Sequence, residues 1–366
     1  MKVIIPRVDL VTLIGKIQNI VASKPTVPIL ANILLEAIDD QLILSATDLS
    51  ISVRAHTEAK VLEEGGITLP ARKLFQLIRE LTVPQVEIHS TSPETASINA
   101  GSSHFKIQGI HRNEFPAFPD LAQGICFSMH TNALKEMLTR TSFAAARDDT
   151  RQVLNGVYLQ NANQLATFMG TDGKRLAKIH TSVDLPQEQS GSYIIPLKTV
   201  EEMVRVLDSK EEIAKITLMA DKISLEVGPV TLISKLVSGQ YPDVNRVIPE
   251  TKSNPLSLHR EELISLLKQV TLFTSDNNSS VRFTFETGQL HISAMSGDIG
   301  EGRVNMPVNY TGENLNIAFN PVYFLGILNH SKDETVNFNI SDSYSPCLVT
   351  DSSTAQFVIM PMRMES

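Results

Sequence analysis

The feature that most constrains this chain is a pattern that runs through it three times. Asp48, Asp172 and Asp298 mark one phase of it and stand 124 and 126 positions apart. Pro70, Pro196 and Asn320, each just ahead of an apolar helical stretch, stand 126 and 124 apart, and Leu10, Leu134 and Leu263 stand 124 and 129 apart. Hydrophobic periodicity alone recurs easily, but three anchors that agree on one spacing across three units do not. A period this long is a whole domain, because solenoid repeats run only about 20–50 residues. The chain therefore reads as α+β, three tandem copies of one domain near residues 1–122, 123–246 and 247–366, each with two helices and about eight short strands.

Within the first copy, Leu10, Leu13, Ile14, Ile17 and Val21 have the spacing of an amphipathic helix over residues 8–22, which Pro25 and Pro28 end. Residues 29–37 and 42–53 read as a hairpin around Asp39-Asp40, with Thr47-Asp48 inside its second strand. Leu69-Pro70-Ala71-Arg72-Lys73 leads a strand into a second helix on Leu74, Leu77, Ile78 and Leu81, with proline where its missing N–H costs little. Strands follow near 86–89, 96–100 and 104–109. The same order returns from Thr131 or Asn132, either of which can cap a helix on Leu134, Met137 and Leu138, and again from the helix on Leu263, Leu266 and Leu267.

Enzyme chemistry finds little foothold. The nine histidines are scattered, with no His-x-x-x-His or His-Glu-x-x-His pair, and no Gly-x-Ser-x-Gly elbow occurs. Acidic pairs such as Asp39-Asp40 and Glu261-Glu262 fall in turns or at a helix start, where turn propensity and the macrodipole account for them. The stretch Met169-Gly170-Thr171-Asp172-Gly173-Lys174-Arg175-Leu176-Ala177 suggests a phosphate-holding loop, but it lacks P-loop spacing and reads more simply as a basic turn between strands. No cofactor and no metal are implied. Two cysteines, Cys126 and Cys347, are too few for a disulfide framework and favour a reducing cytosol. With no signal peptide and no apolar run of spanning length, the expectation is a cytoplasmic protein without a membrane role.

The net charge of -8 argues against a simple nucleic-acid coat, yet it is blind to distribution. Arg72 and Arg79 stand two before and five after Leu74, and Lys198 and Arg205 occupy the same places around Val200. Lys16 and Arg140 likewise follow Leu10 and Leu134 by six. Equivalent helices thus offer cations that suit the phosphates of an acidic polymer, contacts that carry no sequence information. Solvated helix faces look the same, so the spacing leaves that reading open. The C-terminal Val358-Ile359-Met360-Pro361-Met362-Arg363 suits an adaptable, Met-lined edge, and such surfaces take short peptides.

Pro25-Thr26-Val27-Pro28-Ile29-Leu30, Leu69-Pro70-Ala71-Arg72-Lys73, Leu154-Asn155-Gly156, Thr171 to Ala177, Ser234 to Gly239, Tyr241-Pro242-Asp243 and Val358 to Arg363 together resemble the beta subunit of bacterial DNA polymerase III, the replicative sliding clamps. The resemblance covers the whole chain. It implies three DNA-clamp domains, each with two helices packed on antiparallel sheets, in a ring-forming head-to-tail homodimer around duplex DNA. The activity implied is non-enzymatic: the ring holds DNA without regard to sequence and tethers the polymerase III catalytic subunit, the clamp loader, and other polymerases and repair proteins through short motifs.

Carried over by position, the peptide pocket falls on Arg151, Leu154, Thr171, Gly173, Lys174, Arg175, Leu176, Pro242, Arg246, Val247, Tyr323, Val358, Met360, Pro361, Met362 and Arg363. Lys174 stands where histidine is usual, and Tyr241 and Val244 where Phe and Tyr are common, departures that touch fine specificity. The DNA-facing set is Lys16, Lys24, Arg72, Arg79, Arg140, Lys198 and Arg205, and the dimer contact sets Phe105 and Ile107 against Leu272 and Phe273. A head-to-tail contact needs two different patches. The alternative is a three-domain peptide-binding scaffold without a DNA role, whose helix cations are plain solvated faces.

Overall fold

A computed structural model describes residues 1–21, 25–120, 124–185, 189–208, 210–250, 255–275 and 280–363. Lys24 lies outside the described residues. Six α-helices are found among them: α1 (Arg7–Ile17), α2 (Ala71–Glu80), α3 (Thr131–Ser142), α4 (Leu197–Leu207), α5 (Arg260–Thr271) and α6 (Pro321–His330). Each begins where a strand ends. In α1 the residues at helical spacing, Leu10, Leu13, Ile14 and Ile17, are all buried, and each such side chain contributes about 2 kcal/mol by leaving water. This helix is shorter than the apolar pattern predicts. Beyond Ile17 the backbone tightens to three-residue bonds, Ile20 N–H to the Ile17 carbonyl and Val21 N–H to that of Gln18, and Val21 is buried from that turn.

Helix starts use different means. Asn320 caps α6, its Oδ1 accepting from the N–H groups of Val322 at 2.9 Å and Tyr323 at 3.3 Å. Thr131, expected as a possible cap, instead begins α3, and its hydroxyl donates to the Glu211 carbonyl at 2.7 Å.

Among the described residues the strands number nine, eight and eight in the three sequence repeats, and they assemble into two compact units. The first unit comprises Met1–Lys135 and Lys198–Leu236. It holds a five-stranded sheet in the order Lys60–Glu63, Lys2–Pro6, Gln85–Ser92, Thr95–Ala100, Ser103–Gln108. Its eight-stranded sheet runs Ile125–His130, Ile213–Leu218, Lys222–Val227, Val230–Lys235, Ile51–Glu58, Gln41–Thr47, Asn32–Ile38, Gly65–Pro70. The second unit comprises Glu136–Leu197 and Val237–Ser366. Its eight-stranded sheet runs Gly191–Pro196, Gly156–Ala162, Leu165–Thr171, Arg175–Ser182, Gln356–Ile359, Cys347–Thr350, Thr335–Asn339, Leu256–His259. A four-stranded sheet of Gly300–Pro307, Gln289–Ser296, Val281–Glu286 and Leu315–Phe319 completes it.

Sequence repeats and packing units therefore differ, because repeats fuse through their sheet edges. Val230–Lys235 of the middle repeat pairs antiparallel with Ile51–Glu58 of the first, from Val230 opposite Ala55 to Ser234 opposite Ile51. Gln356–Ile359 of the third pairs in the same way with Arg175–Ser182 of the middle one. In each case the last strand of one repeat meets the strand that follows the aspartate-marked turn of the repeat before it. The corresponding strands left over, Ser103–Gln108 and Gly300–Pro307, lie at sheet edges with one neighbour each among the described residues.

Thr47-Asp48 does not lie in the middle of a strand, as the apolar run predicts: Thr47 ends the strand Gln41–Thr47, and Asp48 begins the turn to Ile51–Glu58. Local side-chain bonds override the apolar continuity there. Asp48 Oδ1 accepts from the N–H groups of Ser50 at 2.8 Å and Ile51 at 2.7 Å, while Thr47 Oγ1 accepts from Leu49 N–H at 3.0 Å.

Candidate peptide groove and charged faces

The middle repeat builds the same turn from Thr171-Asp172. Thr171 Oγ1 donates to the Arg175 carbonyl at 2.6 Å and accepts from Gly173 N–H at 3.0 Å. Asp172 Oδ1 accepts from the N–H groups of Lys174 at 2.9 Å and Arg175 at 3.0 Å. Those amides are thereby taken, and Gly170 sits in a strand where an added Cβ would lie 2.2 Å from the Thr141 carbonyl oxygen. The glycines do not cradle an anion, so the turn reading holds over the phosphate loop. At the third turn position both repeats need a left-handed backbone, with φ 73° at Leu49 and 84° at Gly173. The first repeat places an exposed leucine there and the middle repeat leaves the space open.

Three further segments close around that space. The short 3-10 helix Gln152–Leu154 is anchored by Asp149, which accepts from Arg151 N–H at 2.8 Å, Nε at 3.0 Å and Nη2 at 2.8 Å. Arg151 holds the Asp149 carboxyl down at about 2. From the other side, Tyr241 stacks on Tyr158 with centroids 4.6 Å apart, and burial pushes its phenol well up. It introduces Pro242, Asp243 and the turn Val244–Val247. Finally, Gln356–Ile359 lies along Arg175–Ser182, and Met360 N–H donates to the Lys174 carbonyl at 2.9 Å.

The result is a cavity of about 210 Å3. Ten of the expected pocket residues line it: Arg151, Leu154, Thr171, Gly173, Arg175, Leu176, Pro242, Val247, Val358 and Met360. Asp243 and Val244 join them and were not expected as lining. Buried Leu154, Leu176, Val244 and Val358 belong to one apolar cluster with Met169, Ile194 and Leu348, which keeps the walls in place. Lys174 and Tyr323 line instead an adjoining depression of about 420 Å3, which shares Arg151 and Arg175 with the cavity. The Arg175 guanidinium lies 4.6 Å from the Tyr323 ring centroid and binds Asp172 Oδ2 at 3.1 Å. Arg246, Pro361, Met362 and Arg363 line neither space; Met362 is bridged to Ala318 by backbone, and Arg246 is an exposed side chain bound to Asp243 at 3.1 Å.

Of the expected DNA-facing cations, Arg72 and Arg79 on α2 are exposed, Lys16 is half-buried, and Lys198 and Arg205 on α4 are exposed but paired with Asp48 and Glu202. Arg140 is a correction. Its side chain is only 5% exposed and ends in the second unit's interior, bound to Asp351, to Glu136 at 3.1 Å and to the His330 carbonyl at 2.8 Å. Position on the helix alone could not reveal this, because Asp351 lies 211 residues away. Phe105 and Ile107 lie half-buried on the edge strand Ser103–Gln108, Leu272 is 73% exposed just after α5, and Phe273 packs where any Cβ on Gly302 would collide with it. Among the described residues no group of three His, Cys, Asp or Glu side chains is placed to hold a metal ion, and no helix is long and apolar enough to cross a membrane.

Comparison with known proteins covers the chain in three consecutive blocks. Residues 1–119, 128–243 and 245–363 match the N-terminal, central and C-terminal domains of the DNA polymerase III beta subunit. The chain is 48% identical to the beta sliding clamp of Chlamydia muridarum, over 100% of this chain and 99% of that protein. It is 49% identical to that of Chlamydia pneumoniae over the same shares. The solved DNA polymerase III subunit beta of Pseudomonas aeruginosa superimposes with a TM-score of 0.95 at 30% identity, covering 100% of both chains.

Proposed function

This chain belongs to the DNA polymerase III beta subunit family, the bacterial replicative sliding clamps, and on that footing we propose that two copies close head to tail into a ring around duplex DNA. A clamp of this family is a processivity factor and not an enzyme: it raises the length copied by holding a polymerase near its template at high local concentration. The observation that carries the ring is the rule by which the repeats join. Twice within the chain a repeat's last strand completes the sheet edge of the repeat before it. The one strand of each kind left at an edge, Ser103–Gln108 and Gly300–Pro307, would satisfy each other if they paired between copies. Phe105 and Ile107 on the first edge then meet Leu272 and Phe273 beside the second.

In this reading the three clamp domains are the repeats near 1–122, 123–246 and 247–366. Lys16, Arg72, Arg79, Lys198 and Arg205 face the phosphates. The internal pairing of Lys198 and Arg205 with Asp48 and Glu202 weakens the field and suits sliding over tight binding. The groove of Gly173, Leu176, Val358 and Met360 receives short motifs of the polymerase III catalytic subunit, the clamp loader, and other polymerases and repair proteins.

Retention on DNA of defined topology tests the ring. Loaded protein should stay on closed circular duplex and run off after linearisation, and reversal of Arg72 and Arg79 to Glu should shorten its stay on the circle. Equal retention on both forms sinks the ring, and charge-reversed protein that keeps every DNA property would favour the peptide scaffold.

A further inference from the structure

Arg175 is held at the groove by a column of planar groups built on one face of α6. Tyr323, Gly326 and His330 stand three and four residues apart on that helix, hence on one side of it. The Arg175 guanidinium lies 4.6 Å from the Tyr323 ring centroid and 5.5 Å from that of Phe143, the residue that follows α3. Phe143 in turn stacks on the His330 imidazole, with centroids 4.1 Å apart and planes 7° from parallel. Gly326 lets these groups close on the helix, since a Cβ there would lie 3.0 Å from Arg175 Nη1 and 3.3 Å from the Phe143 ring. Phe143, Arg175 and Tyr323 line the depression of about 420 Å3; His330 is not among its lining and acts through Phe143.

The surroundings favour a neutral imidazole. His330 Nδ1 lies 2.7 Å from the Gly326 carbonyl oxygen, which can only accept, so Nδ1 carries the proton. Burial first of all, together with the charges of Arg140 and Arg175, holds the ring below its ordinary value of 6.5 against the opposing pull of the Gly326 carbonyl. The acids nearby are engaged: Asp351 and Glu136 bind Arg140, Asp172 binds Arg175, and Lys332 adds a further cation on Glu136 at 2.7 Å. A second proton on His330 therefore sets another positive charge beside Arg140 and Arg175. We propose that His330 is a positioning residue for Arg175: its neutral ring holds Phe143 against the guanidinium, and its protonation loosens the stack and weakens peptide binding. The inference rests on the peptide-groove reading above and adds an acid sensitivity to it. A stacked aromatic pair is worth a factor of about two to ten in an equilibrium constant. Because the folded ring titrates below 6.5, its contribution is present above that value and lost as pH falls through the lower folded one.

The test uses the full chain and one amidated, rhodamine-labelled peptide, Gln-Ala-Asn-Leu-Phe, which is polar ahead of an apolar end and has no side chain that titrates. Its affinity, read by anisotropy, should hold from about pH 8 to about pH 7 and fall about two- to tenfold by about pH 5. His330→Phe, which keeps a flat ring without a titrating group, should bind at full strength throughout. His330→Ala, which loses the stack, should bind weakly at every pH. The imidazole resonance of His330, identified by its absence from the spectrum of His330→Phe, should titrate below 6.5. A flat profile in the unaltered chain, a fall that persists in His330→Phe or tracks the loss of far-ultraviolet circular dichroism, or full-strength binding by His330→Ala overturns the assignment while the groove stands. Failure of the peptide to bind at about pH 8 overturns the groove reading and the assignment with it.

Discussion

Asp351→Ala is the change with the largest expected effect on stability. The Asp351 side chain is fully buried, the Arg140 side chain facing it is 5% exposed, and both lie in the second unit. Removing one member of a buried pair leaves the other charge stranded, at a cost of about 3–5 kcal/mol. Glu136 still reaches Arg140 Nη1 at 3.1 Å, so the lower end, about 3 kcal/mol, is expected. Replacing both partners by apolar residues, Arg140→Met with Asp351→Leu, should recover most of the loss, because neither charge then needs compensation. The pH dependence has a definite sign. Burial raises the Asp351 carboxyl, but hydrogen bonds from Ser353 and Lys332 N–H and the charge of Arg140 outweigh it and hold the group below its ordinary value of 3.8. Its contribution is therefore present above that value and lost as pH falls through the lower folded one. Urea unfolding followed by circular dichroism reads the effect, since the chain has no tryptophan to report by fluorescence. A loss below about 1 kcal/mol, or a double variant no better than the single one, would refute the reasoning. So would Arg140→Ala that unfolds normally yet weakens retention on circular DNA.

Gly173→Leu should convert the middle turn to the form the first repeat already uses. Leu49 tolerates φ 73° there, so the protein should fold with a penalty of about 1–2 kcal/mol. The new side chain starts 3.3 Å from Arg151 Nη2 and fills the cavity mouth, so peptide affinity measured by anisotropy should fall at least about tenfold, a cost of about 1.4 kcal/mol. Unchanged affinity would place the ligand elsewhere. Phe105→Arg puts an unpaired charge into the proposed contact between copies, and light scattering should then give the 40.3 kDa chain instead of twice that mass. A variant that keeps the doubled mass would remove that edge from the ring.

The helices and most strands of the first two repeats were legible because their signals are local. Leu10, Leu13, Ile14 and Ile17 carry a helical face in four residues, and the three repeats tell the same story independently. What stayed hidden depends on contacts distant in sequence. Arg140 has a surface-like place on its helix and is buried only because Asp351 arrives from the other end of the chain. The strand Gly300–Pro307 carries Glu301, Arg303 and Asn305 among few apolar residues, so alternation alone does not mark it. Thr47 and Asp48 extend an apolar run, and only their bonds to Leu49, Ser50 and Ile51 turn the chain. The groove residues were found by resemblance, whereas Asp243 and Val244 joined them only once the turn after Pro242 was folded against Leu154 and Leu176.

One local difference accounts for why the groove lies in the middle repeat. The hydrogen bonds that shape the turns at Asp48 and Asp172 match atom for atom, so the backbone offers each repeat the same left-handed position at the same sheet corner. With Leu49 in that position the corner carries a side chain, and Asp48 is free to hold Lys198 of α4. With Gly173 it is open, Asp172 turns to Arg175, and that guanidinium packs on Tyr323 of α6. The cation at the next position, Lys174, replaces the neutral Ser50 of the first turn. The repeats thus share one turn scaffold, and three differences within it, at positions 173 to 175, separate a corner that braces the fold through Lys198 from one that opens onto an apolar cavity.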